Sequence, residues 1–148
     1  IVQLIYPGRS DAAYLATGID ARLIEAEARL QANDVPGLMA ILNALRTATQ
    51  RLAPQYTTTA MAALPTPATQ AEARAVFFRE KALWQFSRGF RLNDLRRQVR
   101  QYGLPQDQVF PTGTFFKTQT PYGSDVNFPV TTDELNNPDF KGCLDRKA

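Results

Sequence analysis

The side chains best equipped for chemistry are concentrated in one run. From Phe77 to Gly103 the chain reads FFREKALWQFSRGFRLNDLRRQVRQYG, with seven of its seventeen basic residues, five of its fourteen phenylalanines and tyrosines, and two acids. Arginines set among aromatics suit phosphate contacts and base stacking. Lysine is scarce, however. Thirteen of the seventeen cations are arginine, a residue suited to planar, bidentate pairing with carboxylates. No nucleic-acid motif accompanies them, and the aromatics fall on a helical face. The run therefore reads as ion-paired scaffold, with no nucleic-acid partner.

Acid–base catalysis would draw on Glu80, Asp94, Asp125, Asp133 and Glu134. Glycoside hydrolysis needs two such carboxylates about 5 to 10 Å apart across a cleft. Glu80 has the most unusual predicted setting. At 100° per residue it falls on the apolar arc formed by Val76, Phe77, Leu83 and Trp84. A carboxylate there is either catalytic or a buried ion-pair partner of an arginine, because a buried charge left unpaired is prohibitive. The abundance of arginine favours the ion pair. Histidine is absent, which removes the commonest general base, and Cys143 is the lone cysteine. An internal disulfide and a cysteine cluster for metal are thereby excluded, and no zinc or haem site of ordinary type and no cofactor is expected. Cys143 itself reads as a small buried residue.

A second group lies further on. Phe115, Phe116 and Tyr122 sit in a proline-, glycine- and threonine-rich stretch, where aromatic planes could stack on the C–H face of a sugar. The competing reading is that they anchor the stretch to the helices.

The elements that must position these groups are mainly helices. The 148 residues make one domain or one fragment with a single core, and no apolar run approaches the length of a membrane span. The pattern predicts a helical pair over 11–52. Its first helix, from Asp11 to Ala32, carries Ile19, Leu23, Ala26 and Leu30 on one face and Arg22, Glu25 and Arg29 on another. A second follows an Asp34 cap, with Pro36 in its first turn and Leu38, Ile41, Leu42, Leu45 and Leu52 inward. Residues 53–68 read as a loop. Thr69 and Glu72 then have the capping-box spacing that opens helices over 69–102, broken at Gly89 and stopped at Gly103. In the last of them Leu92, Leu95, Val99 and Tyr102 form the inward face, with Arg96, Arg97 and Arg100 turned away. Residues 103–148 are expected to be an irregular tail, anchored through aromatics including Phe110, Phe128 and Phe140, with brief strands at QVF and VNFPV.

Three segments, in order, resemble the C-terminal part of the SusD/RagB family. The first is the helical pair, with Glu25 and Glu27 in its Glu-Ala repeat and Leu42, Asn43 and Arg46 as a Leu-Asn-x-x-Arg motif. The second is Arg79-Glu80, Gly89-Phe90-Arg91 and Asp94-Leu95-Arg96-Arg97. The third is a closing segment with Pro129, Glu134, Asn137 and Pro138. The resemblance implies tetratricopeptide-like helical hairpins with a loop-rich tail. Arg79, Glu80, Arg91, Asp94 and Arg97 are its expected structural ion-pair signature. It implies non-catalytic binding of a glycan or other nutrient at the outer face of the outer membrane. The partners would be a SusC-like TonB-dependent transporter and the remaining N-terminal part of the same protein, lipid-anchored through that missing segment. Family members run to several hundred residues, and the chain begins IVQLIYPGRS without methionine. It is therefore expected to be a piece of something longer. The rival class is a helical-hairpin interaction module without a small ligand.

Overall fold

Helix-forming periodicity dominates the outcome. A computed structural model describes residues 5–6, 8–54, 56–123, 126–128 and 130–141, and it is mainly helical, with six helices and one two-stranded sheet among those residues. The chain divides into two compact units, 1–89 and 90–148.

In the first unit, helix α1 spans Gly18–Gln31. It starts seven residues later than the alanine-rich run predicts. The reason is local: Thr17 Oγ1 accepts the Asp20 N–H at 3.2 Å while Asp20 Oδ2 accepts the Thr17 N–H at 2.8 Å, a reciprocal cap that fixes the start. Ile19, Leu23, Ala26 and Leu30 are all buried, as their spacing predicts. On the exposed faces Arg22 pairs with Glu25, and Arg29 reaches Asp34 at 3.2 Å. Such surface pairs add little stability.

Helix α2 spans Val35–Thr47 and opens as expected, with Asp34 accepting the Gly37 N–H at 2.9 Å and a proline in its first turn. It packs on α1 across the short connection at 32–34. Leu38, Ile41, Leu42 and Leu45 face inward. The expected continuation to Leu52 is corrected: α2 stops at Thr47, and Leu52 lies in strand β1, Arg51–Ala53, antiparallel to β2, Tyr56–Thr57. Two β-branched threonines at 47 and 49 favour extended backbone, and the residue before Pro54 is disfavoured in a helix.

The loop that follows is tied down along α2. Met61 donates its N–H to the Arg46 carbonyl at 2.7 Å, and Arg46 Nε donates to Ala62 O at 3.1 Å. The Asn43 amide accepts from Leu64 N at 2.8 Å and donates to Leu64 O at 3.4 Å, so one side chain answers both backbone groups of the loop residue.

Helix α3 spans Gln70–Trp84. Thr69 accepts the Glu72 N–H at 3.1 Å, and Glu72 Oε2 returns to the Ala68 N–H at 2.8 Å. Its buried residues are Ala73, Phe77, Phe78, Glu80, Lys81 and Trp84. Leu83 is a correction: it is 59% exposed rather than part of the apolar arc. Because α3 packs against both α1 and α2, its buried sector is rotated toward Phe78 and Lys81. Leu23, Leu30, Leu38, Leu42 and Phe77 form the fully buried centre. Past α3 the chain turns through Ser87 (φ 62°) and Gly89 (φ 81°), which places the predicted break at Gly89.

In the second unit, helix α4 spans Arg91–Arg100 and the backbone reverses at Gly103 (φ 66°). The tail contains two helical turns, α5 (Gln106–Val109) and α6 (Thr132–Leu135). The QVF strand is thus corrected to a helical turn, packed against α4. VNFPV forms no strand among its described residues, and Pro129 lies outside them. Val126 of that segment is buried, and Arg96 Nη1 donates to its carbonyl at 3.2 Å. Arg96 therefore turns inward, contrary to the outward face expected for it.

Candidate functional site

Two groups of side chains merit comparison as sites. The first is the ion-pair network of the helical unit. Glu80, 3% exposed, receives both of its hydrogen bonds from Arg46 Nη1, at 2.9 and 3.0 Å. Lys81 Nζ lies 3.4 Å from Glu27 Oε2, both groups buried, and also faces the Phe77 ring. Asp20 accepts a two-pronged contact from Arg88, Nη1 to Oδ1 at 2.8 Å and Nη2 to Oδ2 at 2.9 Å. Gln85 Nε2 adds a third at 2.9 Å.

Burial alone would push the Asp20 carboxyl up. The hydrogen bonds from Arg88, Gln85 and Thr17 outweigh it and hold the pKa at about 2. The hydrogen bond to Asp20 in turn raises Arg88 against its own burial. These carboxylates pair with cations from other elements and so tie parts of the helical unit together.

Of the expected signature, Glu80 is in this network and Asp94 faces Arg97 at 3.8 Å in the second unit. Arg79 and Arg91 are exposed and form no ion pair among the described residues. Their charges face solvent, where helix-face arginines need no partner. The pattern did not single out Asp20, Arg88 or Lys81. Thr17-x-x-Asp20 is a capping-box spacing and was the one available signal for Asp20.

The second group is the aromatic hairpin of the tail. Residues 113–122 fold back on themselves. Phe115 N–H donates to Thr120 O at 2.8 Å, Gln119 N–H to Phe115 O at 2.9 Å, and Tyr122 N–H to Gly113 O at 2.9 Å. Thr114 and Pro121 form a bridge, and Gln119 (φ 56°) and Gly113 (φ 79°) supply the left-handed turns. The fold brings together the three aromatics singled out from sequence. Phe115 meets Phe116 edge-on, with ring centroids 5.1 Å apart, and meets Tyr122 at 5.8 Å. Phe116 is 73% exposed and Tyr122 40%, so the cluster presents ring surface instead of burying it. Tyr122 also lines a cleft of about 430 Å³ with Gln106, Asp107, Phe110, Thr112 and Val126. Apolar walls with a few polar groups are the usual make-up of a small-molecule site. Periodicity carried no sign of the Gln106, Asp107 and Thr112 contribution.

Asp133 and Glu134 are exposed on α6, where Thr131 caps the Glu134 N–H at 3.4 Å; Asp125 and Cys143 lie outside the described residues. Phe128 is 79% exposed, so it is not an anchor; Phe110 and Phe140 are half-buried. Among the described residues no group of three metal-ligating side chains occurs, and no helix is long and apolar enough to cross a membrane. No family model, curated protein or solved structure matches the chain.

Proposed function

We propose that the chain is the C-terminal portion of a SusD-like cell-surface protein that binds a glycan or other nutrient, without catalysis, for delivery to a TonB-dependent outer-membrane transporter. The observation that carries this reading is the cluster of Phe115, Phe116 and Tyr122, of which Tyr122 also lines a cleft. The negative face of each ring suits the weakly positive C–H groups of a pyranose, and the cleft offers hydrogen-bonding side chains beside it.

The three-segment resemblance supports the family. Four of its motif residues share one physical task, since Asn43 holds the loop, Arg46 bridges that loop to Glu80, and Glu27 pairs with the lysine that follows Glu80. On this reading α1 and α2 form one tetratricopeptide-like hairpin and α3 begins the next. The lipid anchor belongs to an N-terminal segment, and a SusC-like transporter and the rest of the same polypeptide are the partners. No cofactor takes part.

The test is retention on a panel of oligosaccharides, with the longer protein as control. Phe116→Ala and Tyr122→Ala should each weaken the retained sugar about tenfold, the scale of one lost stacking contact. Phe116→Ala should leave the melting midpoint in place, because the ring is exposed. No reducing sugar should be released. Retention of no sugar by either form would overturn the reading. That result would favour a helical interaction module, for which the exposed Leu15, Ile24 and Leu83 of the helical unit supply the apolar contacts.

A further inference from the structure

The cleft beside the aromatic hairpin has a charge preference. Its polar side chains are Gln106, Asp107, Thr112 and Tyr122, and among the described residues Asp107 is the one acidic or basic group that lines it. The nearby cations are turned to other work. Lys117 Nζ sits over the Phe116 ring, 5.8 Å from its centroid, and Arg96 donates to the carbonyl of Val126. The sequence from Gly103 to the end shares the bias, with four basic and six acidic residues in a chain whose net charge is +3. A ligand carboxylate or sulfate in this cleft would lie close to Asp107, with no lining cation among the described residues to offset the repulsion. A protonated amine would gain a charge-assisted hydrogen bond from the same carboxylate.

We propose that the cleft takes a sugar residue bearing a protonated amine, with Asp107 as its counter-ion, and discriminates against uronic and sulfated sugars. This assignment rests on the ligand-binding reading above and adds the chemical class of the ligand. The cleft, about 430 Å³, fits a sugar residue or two.

Calorimetric titration of the chain at about pH 6, where a sugar amine is protonated, tests it with three oligosaccharides of equal length: a glucosamine, a glucose and a galacturonate oligomer. The amino sugar should bind at least about tenfold tighter than the uronate, with the neutral sugar between them. The ratio should collapse to about threefold or less in Asp107→Asn, return in Asp107→Glu, and narrow as salt is raised. Equal or tighter binding of the uronate overturns the proposal, and so does a ratio unchanged by Asp107→Asn. Binding of the neutral oligomer with no amine preference removes the charge assignment and leaves the sugar site. Binding of none of the three removes the sugar site and this assignment together.

Discussion

Replacing Glu80 with alanine should destabilise the helical unit by about 3 to 5 kcal/mol, the cost of removing one member of a buried ion pair. Glu80 is 3% exposed, and both of its oxygens lie within 3.0 Å of Arg46 Nη1. The Arg46 side chain is itself 18% exposed, and Arg46 also holds the loop through Ala62 O. Without the carboxylate, the guanidinium keeps one backbone partner and loses its counter-charge in a part-buried setting that hydrates it incompletely. The measurement is urea unfolding followed by the fluorescence of Trp84, the chain's single tryptophan and a buried member of α3.

A paired change separates charge stranding from lost packing. Glu80→Leu with Arg46→Met should recover most of the loss, because removing both charges leaves neither one desolvated. A midpoint unchanged in Glu80→Ala would mean that the pair contributes nothing. A double variant no better than the single one would assign the cost to shape alone.

Glu80 also shows how far the sequence carries. Its place among inward-facing residues was legible from helical phase, and so were the buried faces of α1 and α2 at Ile19, Leu23, Leu30, Leu38 and Leu42, since each of these lines one side of a helix. The caps at Asp34 and Thr69 were legible because capping uses residues three apart in sequence. Pairing partners were not: Arg46 and Glu80 are 34 residues apart, Glu27 and Lys81 54, and Asp20 and Arg88 68. Nothing local records such a distance.

The phase of α3 misled at Leu83 for a related reason. A helix covered on two sides buries a wide sector, and here polar members with distant partners fill part of it. In the tail, Phe115, Phe116 and Tyr122 were recognisable as residue types. Their meeting depends on a turn through Gln119, a residue with no special tendency to the left-handed region. Asp107 carried no signal at all, because a cleft wall has no period.

Asp20 should give the helical unit an acid-labile component of about 2 kcal/mol. Its pKa falls from 3.8 to about 2 in the folded protein, where burial opposes the shift and the bonds from Arg88, Gln85 and Thr17 prevail. The sign follows from which state takes up the proton first. With the folded value depressed, the unfolded chain binds protons more readily in acid, so the contribution is complete above about pH 4 to 5 and is lost as pH falls toward about 2.

Asp20→Asn keeps the size of the side chain, but its single oxygen can accept from Thr17 or from Gln85 and not from both, and it leaves Arg88, with a side chain 6% exposed, without a counter-charge. It should cost about 3 kcal/mol at neutral pH, and the gap to the wild type should narrow by about 1 to 2 kcal/mol by about pH 2.5. Urea unfolding at the two pH values reads both numbers. A gap of equal size at both would show that the carboxylate is not held in its charged form by the cage around it. Such a gap would place the folded pKa at its ordinary value, and the tie between the start of α1 and the turn after α3 would then rest on hydrogen bonding without charge.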